Sequence, residues 1–154
     1  MSTAIRFDQS ISTDSNIEMP ITGPAYRLPV FVIFTTTSRT LKALEKAGQL
    51  ASSLQTRIEI IAVQAVPFML PLDEPPVPFE FVIRRLKETT ENFPMLLGIS
   101  AYLCRDPLVA LKRILSRNCL VVMGLRKRWW STRDERLARK LRHAGYNLIS
   151  VEAE

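Results

Sequence analysis

Residues 29–66, PVFVIFTTTSRTLKALEKAGQLASSLQTRIEIIAVQAV, decide the fold of this chain. Their first seven residues form a nearly continuous apolar run, which is typical of a strand buried on both faces. Residues 57–66 are rich in Ile and Val and predict a second strand. The intervening helix, residues 38–54, is long enough to connect two parallel strands in the right-handed sense. Its predicted apolar stripe comprises Leu41, Leu44, Ala47, Ala51 and Leu54.

A second strand–helix–strand unit lies at the end of the chain. Residues 119–124 (CLVVMG) and 146–151 (YNLISV) predict strands, and residues 132–143 predict the helix between them. Residues 79–93 predict another helix and residues 95–103 a further strand. Asp106-Pro107 then opens a helix, as N-cap and first-turn proline. We therefore predict an α/β fold, an open Rossmann-like sheet of five parallel strands with helices on both faces. Such sheets bind ligands at the carboxyl ends of their strands.

The predicted α/β domain covers residues 28–154 of the 154-residue chain. Residues 1–27 are polar and aperiodic, so we expect a disordered tail. The chain has no apolar run long enough to span a bilayer, and it does not open on a charged-then-apolar leader. Cys104 and Cys119 lack the spacing of a metal or redox site. These features together predict a cytoplasmic, reduced protein without a transmembrane segment.

Positive charge is concentrated in the second half of the chain. Residues 105–143 contain twelve Lys or Arg and only three acidic residues, whereas residues 1–104 contain nine basic and ten acidic residues. This distribution makes an anionic partner plausible, although the solvated faces of two helices are the more common explanation of such charge runs.

The residue types needed for catalysis are sparse. His143 is the only histidine, which excludes a His-rich metal site, and it lies late on a helix where its charge favours the helix terminus. Cys104 and Cys119 fit small apolar core positions. Asp73 and Glu74 are adjacent acids on a proline-rich loop and are expected to be solvated. We find no nucleophile–base arrangement and no metal-ligand set, so the sequence favours a non-catalytic protein.

Residues 28–151 resemble the universal stress protein family, part of the adenine-nucleotide α-hydrolase-like group. FVIFTTTSRTLKAL (31–44) is similar to that family's first strand, loop and helix, and RIEIIAVQAVP (57–67) to its second strand. LVVMG (120–124) is similar to the fourth strand, which ends in Met-Gly in the family. LARKLRHAGYNLISV (137–151) is similar to the last helix and strand. The resemblance implies a homodimer through the last strand, with Tyr146, Asn147, Leu148, Ile149, Ser150 and Val151 at the interface.

The resemblance also implies a degenerate nucleotide site. Nucleotide-binding members have an Asp after the first strand, and Thr35 stands there in this chain. Their phosphate motif, G-x2-G-x9-G-[S/T], matches at Gly124, but its second glycine falls on Lys127. Its last pair falls on Leu137-Ala138 by strict count, or near Asp134-Glu135 if the loop is shorter. Glycines are needed so that backbone N–H groups can close around phosphates. No cofactor is assigned; ATP or another adenine nucleotide is the candidate. The candidate nucleotide-binding residues are Thr35, Thr36, Thr37, Ser38, Val63, Gln64, Ala65, Gly124, Leu125, Arg126, Lys127 and Arg128.

The loop RKRWW, residues 126–130, combines basic and aromatic side chains at the predicted ligand edge. A similar loop occurs in stress-protein-like domains of potassium-responsive sensor kinases, so the resemblance implies signalling. Trp beside Arg can stack on a base, lie at a membrane interface or form a protein-contact hot spot. Alternatively, one Trp simply covers the sheet edge. The candidate interaction residues for a protein partner are Trp129, Trp130 and Arg133.

Three functions remain open from sequence. The first is a universal-stress-protein-like regulatory or binding module with a weakened or lost ATP site. The second is an adenine-nucleotide or cyclic-dinucleotide sensor that binds phosphates with the basic side chains of residues 126–133. In this hypothesis residues 35–38 and 63–65 line the base pocket. The third is an anionic-membrane or nucleic-acid surface binder, although no nucleic-acid-binding motif supports it. Residues 67–78, with five prolines, form either a lid or a plug over the site.

Overall fold

The structure, a computed structural model, describes residues 5–9, 28–93, 97–126 and 132–153. In chain order the elements are β1 (Ile5–Gln9), β2 (Val30–Ile33), α1 (Thr37–Leu54), β3 (Ile58–Ala65), α2 (Phe79–Thr90), β4 (Leu97–Cys104), α3 (Pro107–Ile114), β5 (Leu120–Arg126), α4 (Arg133–His143) and β6 (Asn147–Ala153).

The sheet has the order β1-β4-β3-β2-β5-β6. The five strands from β2 to β6 are all parallel, which confirms the predicted fold class. β2 lies at the centre, and all four of its residues are buried. This position explains its continuous apolar sequence, since both of its faces are covered by helices.

β1 adds a sixth, antiparallel strand next to β4, with Ile5 opposite Leu103. These five residues fall in the segment that we expected to be disordered, and the structure places them in the sheet instead. The sequence contains a weak signal for the strand, because apolar Ile5 and Phe7 alternate with polar Arg6 and Asp8.

Two apolar cores form on the two faces of the sheet. Residues Val30 and Val32 of β2 pack with Ala43, Leu44 and Leu86, so α1 and α2 cover one face. The alternate β2 residues, Phe31 and Ile33, pack on the other face against α3 and α4, including Leu111, Ala138 and Leu141. Helices therefore lie on both faces, as predicted.

The buried stripe of α1 differs from the predicted one. Leu44, Ala47 and Ala51 are buried, but Leu41 and Leu54 are 40% and 46% exposed. Thr40 and Ala43 are buried in addition. Thr40 tolerates burial because its hydroxyl accepts a hydrogen bond from the Thr35 N–H.

Local capping signals explain where the helices begin. The Asp106 side chain accepts from the Leu108 N–H, with Pro107 in the first turn of α3, as the sequence predicts. Thr36 caps α1, and Thr132 caps α4. Among the described residues, none of the helices has both the length and the apolar character needed to cross a membrane.

Candidate functional site

The carboxyl ends of β2 and β5 meet at a topological switch point. β2 lies between β3 and β5, and the chain leaves β2 toward α1 on one face. It leaves β5 toward α4 on the opposite face. Ligands of open α/β sheets bind in the crevice that forms at such a point. The structure brings the predicted residues 35–38, 63–65 and 124–126 to this edge of the sheet.

The hydroxyl groups that follow β2 are engaged within the protein. Thr35 Oγ1 donates to the Gly124 carbonyl oxygen at 3.4 Å. Thr36 Oγ1 accepts from the Arg39 N–H at 3.5 Å as the α1 cap. Thr37 Oγ1 accepts from an Nη of Arg85 at 3.4 Å. Ser38 is exposed. This segment therefore anchors α1 to β5 and α2.

Gly124 lies directly beneath the first turn of α1. A Cβ built on it would overlap the backbone carbonyl oxygen of Arg39 and lie 2.6 Å from that carbonyl carbon. A side chain is thus excluded by the backbone of this protein itself, whether or not a phosphate binds. The match of Gly124 to the first glycine of the phosphate motif has a structural explanation.

The first turn of α4 carries two carboxylates, those of Asp134 and Glu135. If the loop is shorter than in the universal stress protein motif, these are the positions that align with the last Gly-[S/T] pair of that motif. Thr132 Oγ1 accepts from the Glu135 N–H at 3.2 Å, and Glu135 Oε2 accepts from the Thr132 N–H at 3.2 Å. This reciprocal capping box uses backbone N–H groups that an anion would otherwise bind.

An ion pair joins the two helices that start at the switch point. An Nη of Arg39 in α1 lies 3.1 Å from Oδ2 of Asp134 in α4, with 17% and 31% of the two side chains exposed. The two helices lie on opposite faces of the sheet, so the pair spans its carboxyl edge. Sequence reasoning missed this contact because nothing in the local pattern of either helix indicates the other.

The loop 67–78 is held against the end of β3. Nε2 of Gln64 donates to the Val77 carbonyl oxygen at 2.9 Å, while Gln64 Oε1 is buried without a hydrogen-bond partner. Val63 is half-buried and Ala65 is exposed. The loop therefore folds back onto Gln64, one of the predicted base-pocket residues.

Arg105, which sequence reasoning also missed, clamps the other end of this loop. One of its Nη atoms donates to the carbonyl oxygens of Val66, Pro67 and Leu70, at 3.3, 2.6 and 2.8 Å. Its guanidinium lies 5.4 Å from the centre of the Phe68 ring. Phe68 and Met69 are nevertheless 85% and 93% exposed. The clamp thus presents two large apolar side chains to solvent at the ligand edge.

The basic loop is described only at its two ends. Leu125 is buried, whereas Arg126 and Arg133 are exposed. Lys127, Arg128, Trp129 and Trp130 lie outside the described residues.

The predicted dimer strand lies at an edge of the sheet that the described residues form. Tyr146 precedes β6 and is buried, with its hydroxyl donating to the Lys112 carbonyl oxygen at 3.3 Å. Asn147 and Ser150 are exposed, Ile149 and Val151 are half-buried, and Leu148 is buried. The side chain of Arg142 contacts both Leu148 and Ser150.

The other ionisable residues that the structure describes bear on metal binding and on thiol reactivity. Within the described ranges, no three His, Cys, Asp or Glu side chains lie close enough together to hold a metal ion. Cys104 and Cys119 are buried and unpaired with each other, and burial raises the pKa of both thiols. A raised pKa disfavours the reactive thiolate.

No protein-family model matches this chain, and no curated protein matches it. The resemblance to universal stress proteins therefore stays a prediction, based on the quoted sequence segments.

Proposed function

We propose that this chain is a universal-stress-protein-like regulatory or binding module that has lost the nucleotide site of that family. The observation that carries the proposal is the start of α4. Asp134 and Glu135 place two carboxylates there, and the capping box engages two backbone N–H groups, those of Thr132 and Glu135. A phosphate bound at this helix end would meet like charge and two fewer donors.

The ion pair of Arg39 with Asp134 strengthens this argument. Arg39 lies in the first turn of α1, and its guanidinium is already paired with Asp134 of α4 at 3.1 Å. An incoming phosphate would have to displace Asp134 from Arg39 and would leave a partly buried carboxylate without its partner.

The loop 67–78 supports the same proposal from the base side of the site. Gln64 binds Val77 of this loop, and Arg105 holds its other end through three carbonyl oxygens. We infer that the loop acts as a plug over the family's base pocket. The Phe68 and Met69 side chains that it exposes are suited to contact a protein partner.

A nucleotide sensor that uses basic side chains is the second candidate. It is favoured by the exposed Arg126 and Arg133, which flank the 126–133 loop at the ligand edge. In this alternative the guanidinium groups replace the glycine cradle.

A homodimer through β6 remains part of the proposal. β6 is an edge strand of the described sheet, and an identical strand can extend such an edge across a two-fold axis.

Isothermal titration with ATP, AMP and a cyclic dinucleotide, in magnesium and moderate salt, tests the loss of the site. We expect no saturable heat for the wild-type protein. The Asp134→Asn/Glu135→Gln variant removes both charges at nearly constant shape, and Asp73→Asn/Glu74→Gln is a matched control on the exposed loop. A gain of weak binding in the first variant alone would identify the carboxylates as the barrier.

Micromolar binding by the wild-type protein would contradict the proposed loss of the site. Replacement of Arg126 and Lys127 by Ala then decides the alternative, because a sensor built on these side chains would lose its affinity in that variant.

A further inference from the structure

The outer side of β6 has a backbone pattern that can be derived from the sheet register. The Val30 N–H donates to Arg57 O, and the Phe34 N–H donates to Ile61 O, both at 2.9 Å. In β2, therefore, the backbone groups of even-numbered residues turn toward β3. Because successive residues of a strand turn to opposite neighbours, Phe31 and Ile33 turn toward β5.

The same alternation of backbone direction applies to the β2–β5 and β5–β6 pairings. Phe31 is aligned with Val121, so Leu120 and Val122 exchange hydrogen bonds with β2. Val121 and Met123 consequently turn toward β6. Since Val121 is aligned with Leu148, the β6 residues that turn toward β5 are the odd-numbered ones. Three residues of β6 turn their backbone groups away from β5: Leu148, Ser150 and Glu152.

Arg142 occupies part of this outward edge. Its Nε donates to the Leu148 carbonyl oxygen at 3.4 Å, and an Nη donates to Ser150 Oγ at 3.0 Å. Leu148 O is one of the acceptors that a further strand would need. Unpaired acceptors on an edge strand invite strand addition, and native proteins commonly protect them with charged side chains.

A second copy of β6 fits the outward groups in an antiparallel arrangement. With Ser150 opposite Ser150 of the partner subunit, Leu148 lies opposite Glu152 of the partner subunit. All the facing residues then belong to the outward-turned set, so the pairing is self-complementary about a two-fold axis. Because Arg142 Nε already donates to the Leu148 carbonyl oxygen, the N–H of an added strand must compete with it for this acceptor.

We propose that Arg142 is an edge cap that opposes the addition of a second copy of this chain to β6. The choice of partner rests on the proposed homodimer. Strand addition must displace the Arg142 guanidinium from Leu148 and Ser150, and the cost of breaking these contacts weakens the dimer.

Sedimentation equilibrium over a wide range of protein concentration tests the cap. Arg142→Ala should lower the dimer dissociation constant about tenfold, because two-fold pairing displaces one Arg142–Leu148 hydrogen bond in each of the two subunits and each contributes about threefold. Arg139→Ala is the matched control, because Arg139 is an exposed arginine of the same helix and the variant loses the same charge. The control should behave as the wild-type protein does.

A second variant locates the interface. The Ser150 N–H turns away from β5, so Ser150→Pro removes an outward donor without removing a bond of the existing sheet. Arg142→Ala/Ser150→Pro should reverse the gain in association. Thermal unfolding of each variant checks that it is folded.

The possible results of these experiments distinguish failure of the proposed Arg142 cap from failure of the proposed homodimer. Equal dissociation constants for the wild-type protein and Arg142→Ala, or no association of either, would overturn the cap. Association of Arg142→Ala that persists after Ser150→Pro would overturn its placement on β6. A monomeric wild-type protein with a dimeric Arg142→Ala variant would support the cap and contradict the homodimer of the native chain.

Discussion

The backbone of Arg39 in α1 packs directly on Gly124 in β5. A Cβ on Gly124 would overlap the Arg39 carbonyl oxygen and would lie 2.9 Å from the Arg39 Cβ. The same residue, Arg39, extends its side chain to Asp134 of α4. The first turn of α1 thus contacts both β5 and α4 at the carboxyl edge of the sheet.

Gly124→Ala should therefore lower the free energy of unfolding by about 3 kcal/mol, because the obstructing atoms belong to backbone and α1 must move. Urea denaturation measures the change. Gly98→Ala is the control, since its Cβ would meet Glu59 Cγ at 3.1 Å, an atom of a flexible side chain. We expect the control to change stability by less than about 1 kcal/mol. Equal losses in the two variants would contradict the close packing of α1 on β5.

Arg105→Ala should release the loop 67–78 while leaving the sheet folded. The variant loses the donor shared by the Val66, Pro67 and Leu70 carbonyl oxygens. Hydrogen bonds to charged groups contribute more than neutral ones, so we expect amide exchange in this loop to accelerate about tenfold. Hydrogen exchange with mass spectrometry provides the measurement. Arg117→Ala, at an exposed position before β5, should leave the loop unchanged. Unaltered exchange in Arg105→Ala would mean that the prolines alone hold the loop.

Stability should fall at alkaline pH through Cys104. Burial, and secondarily the charge of Asp106, raise the pKa of this thiol from 9.0 to about 11. Between these values the folded state keeps a proton that the unfolded state releases. Because the folded state then binds more protons, the free energy of unfolding decreases as the pH rises through this window, and the contribution is complete below pH 9.

The comparison of wild type with Cys104→Ala isolates this effect from other groups that titrate at high pH. The difference in unfolding free energy between the two proteins should shrink from pH 8.5 to pH 11 (approximate limits set by the raised pKa). A constant difference across that range would show that Cys104 has no linkage to folding.

The strands of the parallel sheet and the helices between them could be predicted, because local sequence patterns indicate each of them. Ile58–Ala65 differs from the predicted second strand by one residue at each end. Asp106 and Pro107 begin α3 as predicted. The stripe of α1 was predicted less well, because Leu41 and Leu54 are 40% and 46% exposed although both are apolar and fit the predicted spacing. Helical periodicity predicts which face of a helix is apolar, but it does not predict which residues of that face the neighbouring elements cover.

The sequence predicted where the candidate site lies in the fold, but only some of the contacts within it. Residues such as Thr35 and Gly124 meet at the switch point because parallel strands share a carboxyl edge. Their actual partners depend on distant parts of the chain, as the Gln64 side-chain amide depends on the backbone carbonyl oxygen of Val77. Of the segment 126–133, the structure describes Arg126, Thr132 and Arg133.

The sequence by itself determined the class of fold, the order of its parallel strands along the chain and most helix starts, because hydrophobic periodicity and capping act over a few residues. Tertiary structure alone decided which distant side chains meet. Arg39 and Asp134 are 95 residues apart, Arg105 reaches back to Leu70, and the outward groups of β6 follow from registers that run through three strands. The physical reason is that an isolated charge or carbonyl has many possible partners, and only the packed sheet and helices bring one of them within hydrogen-bond distance.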